Sequence, residues 1–520
     1  MAISRRRVMA LARAFLAIAL ALKGTQLVAT LGQTFSYAHA FVSADVATAA
    51  RSFLTYGLWT LRFVPINDNP PLGMERAAYL HWPPLTPSLL CVWYKMFGVS
   101  EASTHAFSLL VAALMAVALY FLARYTLGEL GAVLALLTWA CLPVTLDYIH
   151  LPSQQNLEVA WFVLALFCAT KALEKKARGR FWKIAGLAAV SIAVAASWEA
   201  VLLGIGLLAA GALTRRREVR RLAIGYCIAS FGVAAAILVL YGVTYPSLVA
   251  ETLHTVLFRA GLAATYGTER LDVQGVVLQL PFRRLIEFAG AKLLEMLGIV
   301  GIIAIGAALW RMNEREKGRE QSFGVALIAA TVSWVIWYAC FLNHVALHPF
   351  ETMIAVPSVV LATAWCALRA IEYVARQRLS KWWLAALCLV PSLGLVPSAL
   401  QTYSALYGEP PGSEVAEVAS GLEIKQFTPA GSVVLTPDES TILVFYSERH
   451  IIRAVSDPGR LMRLLPLVRA NFPGAPIYFA CTPAQESLFE PMLRNVSRNG
   501  HALDWRENDI VVVNLAAASP

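Results

Sequence analysis

Residues 81–90 read His81-Trp82-Pro83-Pro84-Leu85-Thr86-Pro87-Ser88-Leu89-Leu90, and they lie near the end of the only long polar interruption in an apolar N-terminal half, Ser36 to Gly98. The paired prolines force an extended backbone and then allow a helix, Leu85 to Phe97, to begin. The same interruption carries Asp45 and Glu75. Carboxylates, a histidine and a Pro-Pro turn beside a first apolar run point to chemistry kept on one side of a bilayer.

Working outward, the chain of 520 residues is 58% hydrophobic and only 15% charged, with a mean hydropathy of +0.61. That is too apolar for a soluble enzyme and fits a multi-span membrane protein. The formal charge is +10, but the basic residues fall in short clusters between apolar runs. The excess therefore describes topology and argues against nucleic acid as a partner. Eight cysteines show no metal-ligand spacing and read as small buried hydrophobes without a disulfide framework.

Arg5-Arg6-Arg7 followed by Leu11 to Leu31 reads as a retained first span with a cytoplasmic N-terminus, since the apolar run is too long for a signal peptide. Further runs follow at Ala102–Leu122, Glu129–Leu146 and Leu157–Ala172. Two basic clusters come next, one from Lys171 to Lys183 and one from Arg215 to Arg221; both are cytoplasmic by the positive-inside rule. Only about thirty residues separate them, so two crossings there are short, roughly fifteen residues each. The expected hairpin carries Ser197-Trp198-Glu199 at its tip, which makes Glu199 a candidate cavity residue. Later runs lie at Leu222–Tyr241, Leu285–Leu309, Phe323–Leu342, Pro349–Arg369 and Trp382–Leu400. The total is about eleven transmembrane helices, with the C-terminus outside a plasma (inner) membrane.

The expected domains are a transmembrane part, 1–402, with outer loops 33–101 and 242–284, and a small exoplasmic α/β part, 403–520. In the latter, β-rich runs at Ser432–Thr436, Ile451–Val455, Pro476–Cys481 and Ile510–Leu515 alternate with helical stretches near Pro458–Ala470 and Ala484–Val496. It holds no glycine fingerprint or triad spacing, so docking or assembly suits it better than chemistry.

Phe41 to Gly57 reads as a short amphipathic helix at the surface, with Ser43 as N-cap and Asp45 in its first turn. The pattern fits a capping aspartate as well as a functional one. His81 is a conditional metal ligand with His254 as one possible partner, and singly each fits a structural role better than a functional one. Arg259 and Arg270 in the second outer loop offer guanidinium forks for phosphate. Glu158 lies inside an apolar run and is expected to face the interior.

The order of first span, outer loop with an early acidic residue, His-Trp-Pro-Pro-Leu, the short helix ending at Phe97-Gly98 and a span beginning near His105 resembles the GT-C membrane glycosyltransferases, specifically the protein O-mannosyltransferase and lipid A aminoarabinose transferase group. The resemblance covers about the first 210 residues by motif and the later spans by hydropathy. It implies transfer of a sugar from a polyprenyl-phosphate donor to a lipid, glycan or protein acceptor on the exoplasmic face, among membrane lipids. Asp45 matches the early acidic residue and would act as the acceptor-orienting base in an inverting displacement. A divalent metal cation at His81 and His254 would be compatible with it. The lysine often adjacent to the Pro-Pro turn is Trp82 here, an aspartate often found entering the fourth span is replaced by Gln155-Asn156, and the hairpin lysine of some relatives is missing. Donor phosphate recognition then falls to Lys95, Arg259 and Arg270, and the cavity or acceptor side to Asn156, Glu158 and Glu199. The competing readings are a transporter or flippase of a lipid-linked or anionic substrate, and an inactive GT-C-like assembly partner. The absence of an inverted repeat and the polar density at one face weigh against transport.

Overall fold

The computed structural model describes residues 5–37, 39–67, 82–174, 178–245, 256–257, 260, 282–311, 319–377, 412–438, 440–453, 455, 457–497, 505–507 and 510–515. The chain divides into two compact units built from interleaved segments. One comprises Met1–Leu31, His81–Thr86 and His105–Tyr403; the other comprises Gly32–Leu80, Pro87–Thr104 and Ser404–Pro520.

In chain order, the helices begin with α1 (Arg5–Thr30), α2 (Ala40–Tyr56), α3 (Leu85–Phe97), α4 (Glu101–Cys141), α5 (Pro143–Tyr148) and α6 (Gln154–Ala172). Next come α7 (Gly179–Ala196), a 3₁₀ turn (Trp198–Val201), α8 (Leu202–Leu213) and α9 (Arg217–Thr244). After these follow α10 (Phe282–Arg311), α11 (Arg319–Cys340), α12 (Leu342–Leu347), a second 3₁₀ segment (Pro349–Ala355) and α13 (Val356–Arg376).

Among the described residues seven helices are long and apolar enough to cross a membrane: those within α1, α4, α7, α9, α10 and α11, and Pro349–Arg376. The run expected at 382–400 lies outside the described residues. The second and third expected spans form one helix, α4, broken at Gly128, whose φ of 83° is readily available only to glycine. Pro143 then starts α5 at a position where its missing N–H costs nothing. The fourth expected span, α6, opens with Gln154, Gln155, Asn156 and Glu158 and is not among the seven. It is nonetheless buried along most of its length, packed against α7.

The short hairpin appears as expected, with α7 and α8 joined through the 3₁₀ turn that carries Glu199. Glycines let α8 lie close to its neighbours: a Cβ on Gly204 would come within 2.6 Å of Cys227 Sγ on α9, and one on Gly206 within 2.2 Å of the Ala329 carbonyl on α11. At α1, the buried Lys23 donates to the Thr145 carbonyl at 2.8 Å and lies over the Trp139 ring.

The second unit contains a mixed sheet flanked by helices. Its elements are α14 (Gly412–Phe427), β1 (Val433–Leu435), α15 (Thr441–Ser447), β2 (His450–Ile452), α16 (Pro458–Asn471), β3 (Ile477–Cys481), α17 (Pro483–Ser497), β4 (Trp505–Glu507) and β5 (Ile510–Asn514). The strand order is β2-β1-β3-β5-β4, with β1 parallel to β2 and β3, and β5 antiparallel to β3 and β4. Alternate strand residues face opposite ways. Val433, Leu435, Phe479, Val511 and Val513 pack with Leu461, Leu465 and Phe489 of α16 and α17. Val434, Tyr478, Ala480 and Val512 pack instead with Ile424 of α14 and Leu443 and Val444 of α15.

On α15 rests α2. Arg51 of α2 donates to the Phe445 and Val444 carbonyls at 2.7 and 2.9 Å, and the Phe35 ring sits 4.8 Å from that of Phe445. The sequence reading of α2 as a capped surface helix is corrected here. The helix begins at Ala40 with no acidic residue in its first turn, so Ser43 is not its N-cap and Asp45 lies a turn further in. Ser43 is buried and its hydroxyl is shared with Tyr37 at 2.8 Å, while Ala40, Val42, Ala44 and Val46 to Ala50 are buried too. Burial on most of its circumference extends this helix past the position that local capping rules select.

Candidate active site

Asp45 is buried within α2, and its Oδ1 accepts a hydrogen bond from Asn67 Nδ2 at 3.0 Å. Asn67 is buried as well, and its Oδ1 accepts from Arg453 Nη2 at 2.9 Å. Arg453 directly follows β2, so the sheet delivers it; Asn67 ends the described part of the segment after α2. All three residues belong to one unit. Together they form a chain in which a donor-only guanidinium meets an amide oxygen and the amide N–H meets an acceptor carboxylate.

Two other groups of the same unit are shifted by their own burial. Desolvation pushes the Arg51 guanidinium down from its ordinary value, with Glu448 pulling it back up. Burial also pushes the Tyr37 hydroxyl up, against the Ser43 hydrogen bond that favours its ionised form.

Lys95 is exposed in the last turn of α3, beside exposed Val92, Met96 and Phe97. An exposed ammonium on an apolar face suits a head-group region at least as well as a donor site. His81, Glu75, His254, Arg259 and Arg270 lie outside the described residues. His150 lies on the segment between α5 and α6, its ring 6.3 Å from that of His105. Burial, then His105 and Lys23, push its imidazole down to about 3, which keeps it neutral.

The other unit holds a second polar cluster. Gln155 Nε2 donates to Glu199 Oε1 at 3.3 Å and to Glu351 Oε1 at 2.9 Å, and His344 Nε2 lies 3.1 Å from the same Glu351 oxygen. The Ser197 hydroxyl donates to Glu199 Oε2. Glu158, Glu199, Glu351 and Gln155 are all fully buried, and Glu158 is electrostatically coupled to the other two carboxyls. Of the expected cavity residues, Glu158 and Glu199 are thus brought together. Asn156 instead closes the turn between α5 and α6, where Ser153 is the N-cap of α6; its Nδ2 donates to the Tyr148 and Leu151 carbonyls at 2.9 and 2.8 Å.

For a divalent metal, the described residues do not provide a fit. No group of three or more His, Cys, Asp or Glu among them is arranged to hold an ion. At Asp45 Oδ1 the neighbour is an N–H donor, followed by a guanidinium, neither of which is a ligand.

Known proteins share parts of this architecture. The sequence profile of a family described as dolichyl-phosphate-mannose-protein mannosyltransferase matches residues 81–242. No curated protein matches the chain. ArnT from Cupriavidus metallidurans, solved bound to undecaprenyl phosphate, superposes with a TM-score of 0.59 at 15% identity, over 97% of this chain and 98% of that one. The archaeal oligosaccharyltransferase AglB from Archaeoglobus fulgidus, solved with an inhibitory peptide and a dolichol-phosphate, superposes with a TM-score of 0.56 at 13% identity, over 91% of this chain and 70% of that one. The same oligosaccharyltransferase with zinc and sulfate gives 0.57 at 14% identity, over 92% and 69%. The chain shares the fold of these solved structures. The sequence profile spans the Pro-Pro turn and the chain from α3 through most of α9, and with it Asn156, Glu158 and Glu199. Asp45, Asn67, Glu351 and Arg453 fall outside it. Asn67 and Arg453 are also the site residues that sequence reasoning missed. An asparagine before Asp68 and an arginine after a short strand carry no local signal.

Proposed function

We propose that this GT-C chain transfers a sugar from a polyprenyl-phosphate donor to an acceptor hydroxyl on the exoplasmic face of the plasma membrane. Asp45 is the acceptor-orienting base. Its carboxylate takes the proton of the acceptor hydroxyl as that oxygen bonds to the anomeric carbon; the bond from that carbon to the phosphate oxygen breaks, and polyprenyl phosphate leaves with the electron pair. A single displacement inverts the anomeric configuration.

One observation carries the reading. Asp45 is a buried carboxylate held by an amide that is itself held by a guanidinium, which keeps it an acceptor rather than a donor. The solved structures with the same fold support the donor class, since one holds undecaprenyl phosphate and another dolichol-phosphate. Lys95, Arg259 and Arg270 are proposed for the donor phosphate, Glu158 and Glu199 for the acceptor side, and no step is routed through a metal.

The test uses the full-length protein in lipid nanodiscs, labelled undecaprenyl-phosphate mannose and undecaprenyl-phosphate aminoarabinose as donor probes, and envelope extract as acceptor. Asp45→Asn is expected to lower transfer by at least about 100-fold, the usual contribution of a positioned base. Undiminished transfer removes Asp45 from the mechanism. The buried carboxyls of the other unit favour one second reading, a transporter or flippase, because ionisable groups in membrane segments often mark substrate paths. Movement of the donor across proteoliposomes without transfer would establish it.

A further inference from the structure

We infer that Arg453, in the C-terminal segment, is a positioning residue for Asp45 and acts through the side-chain amide of Asn67. The inference rests on the reading of Asp45 as the acceptor-orienting base. An amide is ambiguous between its oxygen and nitrogen ends until its neighbours choose. Arg453 makes that choice, because a guanidinium only donates and so takes the Asn67 oxygen, 2.9 Å from Nη2. The Asn67 nitrogen is then committed to Asp45 Oδ1 at 3.0 Å. Turning the amide over would set oxygen against carboxylate and N–H against guanidinium, two unfavourable contacts at once. The arginine thus fixes the orientation of a neighbour it does not resemble chemically, and through it the carboxylate.

The packing around Arg453 suits that role. Asp45 and Asn67 are buried. Arg453 is tied to the sheet: His450 to Ile452 pair in parallel register with Val433 to Leu435 immediately before it. The helix before β2, α15, is fastened to α2 by Arg51 on the Phe445 and Val444 carbonyls, and the Phe35 N–H donates to the Tyr446 hydroxyl at 2.7 Å. Residues 444–446 are therefore held both by the helix that carries Asp45 and by the segment just before it. The tail, which shows no catalytic motif of its own, completes the site by supplying one cation.

Four variants of the full-length protein test this: Arg453→Met, Arg453→Lys, Asn67→Ala and the double variant Asn67→Ala with Arg453→Met. They are assayed in nanodiscs with the same two donor probes, alongside infrared titration of the Asp45 carboxyl, obtained as the difference between each protein and its Asp45→Asn counterpart. Arg453→Met is expected to lower kcat about 10- to 100-fold with little change in donor KM, the scale of a misplaced reacting group. The acidic limb of the rate profile and the infrared midpoint of Asp45 should both move to higher pH, as loss of a nearby cation requires. Lysine should restore part of the rate, and the double variant should lose no more than Asn67→Ala alone. Additive losses in the double variant, or an Asp45 midpoint that stays in place, overturn the inference. The infrared arm needs no turnover, so it reports on Arg453 even if Asp45→Asn proves active and the base reading fails. A dead Asp45→Asn beside a fully active Arg453→Met would remove the positioning role and leave the base standing.

Discussion

Two buried carboxylate sites in this chain are stabilised in opposite ways. In one unit, Asp45 is linked through Asn67 to the guanidinium of Arg453. In the other, Glu199 and Glu351 share the amide of Gln155, with the Ser197 hydroxyl on Glu199 and the His344 imidazole on Glu351, and Glu158 is buried among them. In the first, donors run in series from a guanidinium through an amide to a single carboxylate, whereas in the second several carboxyls draw on a few donors. The difference teaches that burial alone does not single out a candidate base. What distinguishes Asp45 is the polarity of its hydrogen-bond chain, which runs one way from donor to acceptor.

The comparison can be broken most sharply at its first half. Asp45→Asn should cost at least about 100-fold in transfer while leaving thermal unfolding near that of the parent, because asparagine keeps the size of the side chain. Arg51→Met comes next. It removes two charge-assisted hydrogen bonds from α2 to α15, each worth about 1.5 to 3 kcal/mol. The expected outcome is a lowered midpoint in denaturant titration together with reduced transfer, since the same packing presents Asp45 and Arg453; an unchanged midpoint would show that α2 is held by other means.

For the other unit, Gly206→Ala tests whether close helix packing supports the carboxyl cluster. A Cβ there meets the Ala329 carbonyl at 2.2 Å, and overpacking of this kind costs about 1 to 3 kcal/mol. Thermal unfolding in detergent should fall accordingly, and no change would mean that α8 and α11 part easily. The smallest effect is expected at Glu158. Among the described residues its carboxyl meets no N–H donor and is coupled only to other carboxyls. Glu158→Leu should leave the unfolding temperature level or raise it, as replacing a poorly compensated buried charge by an apolar side chain often does. A loss beyond about 2 kcal/mol would show that this oxygen pair holds something the cluster needs.

Much of the fold was legible in the order of residues. The short hairpin around Glu199 follows from the spacing of two basic clusters, and the strands of the C-terminal segment follow from its alternating apolar runs. The polar residues at the start of α6 mark a helix that packs inward despite its apolar remainder. Local rules failed at α2, where a plausible serine cap lost to the burial of nearly a whole helix circumference. The break expected between residues 122 and 129 falls at Gly128, whose backbone leaves the helical region and separates the two apolar runs.

The sequence by itself therefore determined a multi-span membrane class and most of the elements, because helical period, strand alternation and charge clustering act over a few residues at a time, and it singled out Asp45 as a candidate. Only the tertiary structure decided that residues 32–80 and 87–104 share a unit with the C-terminal segment, and that Asp45, Asn67 and Arg453 meet. Arg453 lies 386 residues beyond Asn67 in the chain. A contact at that separation depends on the strand order of a sheet and on which helix packs against it, and neither is written in any local stretch of residues.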